Sequence, residues 1–382
     1  MSTVIIIIVA VVVVLLAGVG FCCCRRGGSG AGKPDAVTEP DYNGMENGRY
    51  GGQQPQPYPQ PVAPQPQPQP YVPRGGAVPP PRPAPVASGA SSGDIFPELE
   101  PFRLDETEVL LTRKIAAGAF GVVWLGHYHG QPVAVKRLID AGEEETKGFG
   151  SEIKTMAVLT HPKIVRFIGC TWTNGKDLAA VTEYMDGGDV RGLLENRKID
   201  LTWKKEKISI AIDVVEALAY MHTREPKLIH RDLKSRNVLL NAQMVAKLSD
   251  FGLARNRTDF GLARNRTYEE TLTAGVGTVR WTAPEVMLGE NYSEQADVYS
   301  FGVVLSELDT REIPFEEKSS TNGAPDMAIV IKVAKGELRP TFSPDCPPAI
   351  DRIAKACLQF DPSLRPSSTA VLRMLQEAKA QL

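Results

Sequence analysis

Three textures of apolar and polar positions follow one another along the 382-residue chain. The first is the uncharged run "VIIIIVAVVVVLLAGVGF", Val4 to Phe21. As a helix it spans roughly 27 Å at about 1.5 Å per residue, slightly under the ~30 Å hydrocarbon core of a bilayer. The cysteines that follow close the gap, so segment 4–24 is read as a single transmembrane helix. Arg25 and Arg26 come next and assign that end to the cytoplasmic side. A cleavable signal peptide would carry basic residues before the run and a small-x-small site after it; the first is absent and the second poor. Cys22, Cys23 and Cys24 sit where juxtamembrane palmitoylation occurs, or act as apolar filler.

The second texture, 25–94, has almost no apolar periodicity and is rich in Gly, Pro, Gln and Ser, as in "QQPQPYPQPVAPQPQPQPYVP". Such a stretch buries too little apolar surface to offset the entropy of ordering, which predicts a disordered linker with local polyproline II. Pro79 to Pro85, "PPPRPAP", is the place where an SH3- or WW-type partner could dock; a plain spacer is the alternative.

Beyond Asp94 strand and helix periods take over. "LLTRKIAAGAFGVVWLGHYHGQPVAVKRLI" reads as three strands with Gly118, Gly121 and Gly130 at or near the turns. In "PVAVKRL" the period of two puts Ala134 and Lys136 on one face and Val133 and Val135 on the other. A lysine on an otherwise buried strand needs an anionic partner, a carboxylate or a phosphate. "GFGSEIKTMAVLTH" has helical spacing, with Glu152 and Met156 on one face, so Glu152 is the natural partner of Lys136. The later helical segments "KKEKISIAIDVVEALAYMH", "EQADVYSFGVVLSEL" and "PAIDRIAKACLQF" predict a larger helical lobe.

Composition narrows the chemistry. A formal charge of −2 gives no basic field for nucleic acid. Cys170, Cys346 and Cys357 are scattered without metal-type spacing or a disulfide framework, as expected for a reducing compartment.

The motifs "AAGAFGVV", "VAVK", Glu152, "TEYM", "HRDLKSRN", "SDFG", "APE", "DVYSFG" and "DPSLRP" occur in that order. Together they resemble the eukaryotic protein kinase family, over about Asp105 to Leu375. The resemblance implies an α+β, two-lobed fold at 105–380. A small, mainly β N-lobe (about 105–183) and a larger α-helical C-lobe (about 184–380) would hold ATP and Mg²⁺, with Mn²⁺ as a substitute, in the cleft.

Carried over residue by residue, Gly118 and Gly121 would let backbone approach the phosphates, while Val123 and Ala134 would sandwich the adenine. The first glycine of the family's turn is Ala116 here. Lys136, paired with Glu152, would hold the α- and β-phosphates. Thr182 resembles the residue at the back of the pocket, and Glu183 and Met185 would offer backbone groups to adenine. Asp232 is the implied base or orienter of the acceptor hydroxyl and Lys234 the γ-phosphate contact; Asn237 and Asp250 are the implied metal ligands. His230 would pack and orient. Glu285 and Arg365 would close the helical lobe as an ion pair, and Asp297 would anchor the catalytic loop.

One phrase departs from the family: "DFGLARNRTDFGLARNRT", Asp250 to Thr267, repeats nine residues without a mismatch. Asp250 follows the alternating "VAKLS" and lies 13 positions after Asn237, whereas Asp259 follows "RNRT", read as lacking strand character. The metal is therefore assigned to Asp250, and Asp259 to Thr267 to an insertion in the activation loop. Arg231 resembles the arginine that receives an activation-loop phosphate. The candidate acceptors are Thr267, Tyr268, Thr271 and Thr273, with Thr271 and Thr273 favoured; Thr278 is assigned to the acceptor site. Lys234 and "GTVRW" resemble Ser/Thr-directed enzymes of the tyrosine-kinase-like group. The reading is a membrane-anchored, single-pass kinase facing the cytoplasm and acting on protein substrates in signal transduction. A pseudokinase scaffold is the rival.

Overall fold

A computed structural model describes residues 96–118, 121–139, 141–173, 177–252, 254–256, 278–315 and 325–382. The expected membrane helix 4–24, the linker 25–94 and the second DFG copy lie outside them. Among the described residues no helix is long and apolar enough to cross a membrane.

Five antiparallel strands form the first lobe: β1 (Val109–Gly118), β2 (Gly121–Tyr128), β3 (Gln131–Arg137), β4 (Phe167–Thr171) and β5 (Ala179–Glu183). They lie in the order β1-β2-β3-β5-β4, with helix α1 (Glu143–Val158) inserted between β3 and β4. The alternation in "PVAVKRL" is realised: Val133 and Val135 are fully buried with Val109, Ala179 and Val181 on one face of the sheet. The register fixes the opposite face. Lys136 stands opposite Val123 and Ala180, and Ala134 opposite Leu125 and Thr182. Directly paired residues share a face, so Val123, Ala134, Lys136 and Thr182 line one surface.

The second lobe is built on α3 (Ile208–His222) and α5 (Gln295–Thr310), with α2 (Val190–Glu195) beside the Ser235–Asn237 turn. The short α4 (Pro284–Met287), α6 (Pro325–Ala334), α7 (Pro348–Cys357) and α8 (Ser368–Lys379) complete it. From Ala296 to Asp309 every residue of α5 is buried, the signature of a central helix. It ends where Arg311 turns left-handed (φ 63°) and donates its N–H to Glu307. Between α3 and α4 come the short strands β6 (Leu228–Ile229), β7 (Val238–Leu240), β8 (Ala246–Leu248) and β9 (Arg255–Asn256), with the loop 230–237 between β6 and β7.

One local expectation is corrected. "RNRT" does contain strand: Arg255 and Asn256 pair antiparallel with Ile229 and Leu228. A two-residue ladder is held by backbone groups and needs no side-chain alternation. Residues 95–104, assigned to neither linker nor domain, include Phe96 and Leu99, which are buried in the core.

Candidate active site

The sheet side of the cleft centres on Lys136. Its ammonium lies 2.7 Å from Glu152 Oε1 and 3.4 Å from Asp250 Oδ1, so the carboxylate partner read from helical spacing is the one found. Burial alone would lower the Lys136 pKa, but the carboxylates of Asp250 and Glu152 outweigh it and hold the ammonium above its ordinary range. Burial raises Glu152, with Lys136 opposing and Asp250 adding.

The turn glycines serve different ends. Gly121 has φ 135°, and a Cβ there would stand 2.2 Å from the Arg137 carbonyl oxygen, so β3 itself demands glycine. At Gly118 no described protein atom lies within 4 Å of where a Cβ would be, which leaves space for a ligand.

At the hinge, the N–H of Glu183 donates to the Arg166 carbonyl at 2.9 Å. Its carboxylate accepts from the Arg166 N–H and from Lys247 Nζ, both at 2.7 Å. Met185, two residues further along, is buried.

On the helical side, Asp297 is the anchor. Its carboxylate, fully buried, accepts from the backbone N–H groups of His230 and Arg231 at 2.8 Å each and from His222 Nε2 at 3.0 Å. Burial would raise its pKa, but His222, His230 and the Arg231 N–H hold it below the usual carboxylate range. These bonds fix Arg231 in a left-handed conformation (φ 72°), a strain that the surrounding bonds must hold. Asp232 follows, its carboxylate accepting from Lys234 Nζ (2.8 and 3.0 Å) and from Asn237 Nδ2 (2.9 Å). With its amide nitrogen committed to Asp232, Asn237 has its carbonyl oxygen left for a cation.

Asp250 enters the same space by a route different from the one expected. Strand β8 stops at Leu248, and Asp250 has φ 62°, so a left-handed turn rather than alternation sets its position. Phe251, fully buried, packs against His230 at 5.2 Å between ring centroids. His230 Nε2 donates to the Ser249 carbonyl (3.0 Å), and its Nδ1 accepts from the Asp232 N–H (3.3 Å), a packing and orienting position. Burial would raise Asp250, but Lys136, Lys234 and His230 hold it below its ordinary value. Its side chain is 43 % exposed, so an anionic oxygen faces the cleft.

The donor set fits Mg²⁺-ATP: a carboxylate and an amide carbonyl are hard oxygen donors, and Lys136 with Gly118 offers a cation and space for phosphate. Glu285 and Arg365 form the expected bidentate pair at 2.7 and 2.8 Å.

A second buried carboxylate was not anticipated. Glu307 accepts from Ser235 Oγ and Trp281 Nε1, both at 2.6 Å, with Arg191 Nη1 at 3.7 Å. Ser300, one heptad earlier on the same face, donates to the Trp281 carbonyl at 2.8 Å. Helix α5 thereby ties the catalytic loop to the segment bearing Thr278. The available signal was a charged residue inside the apolar run "FGVVLSEL". Thr267, Tyr268, Thr271, Thr273 and Asp259 lie outside the described residues.

Residues 109–375 match the family model described as protein tyrosine and serine/threonine kinase. A probable serine/threonine-protein kinase of Dictyostelium discoideum is 37 % identical over 269 residues, 69 % of this chain and 41 % of the relative. From the same organism, the probable serine/threonine-protein kinases drkB and drkC are 34 % and 35 % identical. Each alignment covers 73 % of this chain, with 38 % of drkB and 36 % of drkC. The chain thus spans about two-fifths of the length of these relatives.

Proposed function

Because the chain belongs to the protein tyrosine and serine/threonine kinase family, we propose that it is a membrane-anchored Ser/Thr kinase of the tyrosine-kinase-like kind. It would transfer the γ-phosphate of ATP to protein hydroxyls in signal transduction. The observation that carries this reading is the meeting of Lys136, Glu152 and Asp250 within 3.4 Å, with Asp232, Lys234 and Asn237 hydrogen-bonded together on the helical side.

Asn237 and Asp250 would hold the Mg²⁺, or Mn²⁺, that accompanies ATP; when bound, the metal would offset phosphate charge. Val123 and Ala134 enclose the base below Thr182, and Glu183 and Met185 read it through their backbones. Gly118 and Gly121 cover the phosphates, and Lys136, kept in place by Glu152, holds them. Asp232 orients the acceptor hydroxyl and takes up its proton, while Lys234 offsets charge at the γ-phosphate. Such catalysis is positioning and electrostatics rather than covalent chemistry.

The uncharged run 4–24 with Arg25 and Arg26 behind it supports a single-pass anchor with the kinase domain in the cytoplasm. "PPPRPAP" supports an SH3- or WW-type partner. Arg231 would receive an activation-loop phosphate on Thr271 or Thr273.

The test is Mg²⁺-ATP labelling of a generic protein acceptor by the full chain in detergent, with phosphoamino-acid analysis. Label on Ser and Thr, abolished in Asp232→Asn, is expected. Nucleotide capture without labelling would leave a scaffold instead.

A further inference from the structure

The family match begins at Val109, yet the chain is already packed from Phe96. In "FPELEPFRLD" the apolar residues Phe96, Leu99, Phe102 and Leu104 follow two linked turns, with Leu99 N–H on the Phe96 carbonyl (2.9 Å) and Phe102 N–H on that of Leu99 (2.8 Å). The Leu104 N–H then donates to the Cys170 carbonyl of β4 at 2.8 Å. Trp172 is gripped from two sides: the Phe96 ring meets it edge-on at 5.7 Å, and the Arg103 guanidinium stacks over it at 4.4 Å while donating to its carbonyl. Gly169 is the seat. A Cβ there would stand 2.5 Å from Leu104 Cγ and 2.7 Å from the Phe102 carbonyl oxygen.

The same segment reaches α1. Leu99, fully buried, has its Cδ1 4.0 Å from where a Cβ on Gly150 would be, and it shares a core with Phe149 and Ile153. Glu98 pairs with Lys154 at 2.7 Å. Helix α1 is weak by itself. It holds Gly148 and Gly150 in its interior and starts at Gly142 with no side-chain cap. Its position therefore depends on packing. Gly150, Ile153 and Lys154 face the segment, while Glu152 lies roughly 100° round the helix from Ile153, toward Lys136. A small rotation of α1 would separate that pair.

We infer that residues 96–104 are a clasp whose side chains position Glu152 on Lys136 by fixing the rotation of α1. Only the activity arm of its test rests on the kinase reading above. The test compares the full wild-type chain with Leu99→Ala, the conservative Leu99→Met, the charge reversal Glu98→Lys, and the swap Glu98→Lys with Lys154→Glu. Hydrogen exchange is read at the amides of α1 and of α3, alongside kcat and KM for ATP. In Leu99→Ala, α1 amides should exchange at least ~10-fold faster while α3 amides hold, since local opening is separable from global unfolding. kcat should fall by about the same factor, as expected when a phosphate-positioning group is misplaced, and Leu99→Met should restore both. Glu98→Lys should raise α1 exchange about two-fold, an exposed pair being weak, and the swap should reverse it.

Unchanged α1 exchange in Leu99→Ala, or α3 amides rising in parallel, overturns the clasp. Should Leu99→Ala fail to fold, Glu98→Lys and its swap decide, and no change in α1 between them overturns it. If the wild type labels nothing, the kinase reading falls while the exchange measurements still decide the clasp.

Discussion

The two lobes each contain an ion pair, fully buried in one and partly exposed in the other, and the pairs are finished differently. Arg365 in the helical lobe spends all five N–H donors. Nε binds the Gln359 carbonyl, Nη1 binds Glu285 and the Gln295 carbonyl, and Nη2 binds Glu285 and the Phe360 carbonyl. Lys136 in the sheet lobe has one close acceptor at 2.7 Å and one longer at 3.4 Å, and is 25 % exposed. A saturated buried pair holds a scaffold, because nothing can be added to it. A pair with donor capacity left over is ready to take an anion. The charges of Asp232 and Lys234 lean on a rigid central helix through Asp297, whereas Lys136 depends on a helix weakened by glycines.

That contrast can be broken most forcefully at the finished pair. Arg365→Ala strands Glu285 in the core and should lower unfolding free energy by about 3–5 kcal/mol, read by chemical denaturation; a loss under about 1 kcal/mol would contradict the scaffold role. At the open pair, Lys136→Met should reduce turnover by about 10²–10³-fold, while its stability changes less than half as much as in Arg365→Ala. Comparable unfolding in both variants would erase the distinction.

A subtler effect comes from Glu307, which burial pushes up to about 7 against the pull of Ser235, Trp281 and Arg191. Its folded form binds a proton more tightly than the unfolded chain does. Its contribution to stability is therefore greatest below about 4.5 and declines as pH rises to about 7. Glu307→Gln should flatten the fall in stability across that window, checked by denaturation at a series of pH values; an unaltered slope would show that other groups set it. The smallest effect should come from Asp259→Asn, with turnover equal to wild type, against near-complete loss in Asp250→Asn. A change in Asp259→Asn would mean the second DFG copy competes for the cleft.

Much of this arrangement was legible in the residues, although not always for the reason that operates. Alternation put Lys136 on the cleft face, and helical spacing found Glu152. Asp250 does reach Lys136, yet a positive φ rather than strand alternation turns it inward. Gly121 was read as freedom near phosphate, while the nearer demand is the carbonyl of Arg137. Glu307 escaped because its partners Ser235 and Trp281 lie 72 and 26 residues away, out of reach of any local period. Phe96 and Leu99 escaped because two prolines interrupt "FPELEPF" and erase a helix or strand signature. The β9 pairing is too short to leave a pattern.

The seat at Gly169 bears on where this protein can be cut. A fragment opening at Val109, where kinship with other kinases becomes visible, would strip Trp172 of both its covers and bare the flank of Phe149 and Ile153. Newly wetted aromatic and aliphatic surface of that kind seeks another molecule's surface. Such a fragment would be prone to self-association, whereas one opening before Phe96 would keep its own cover.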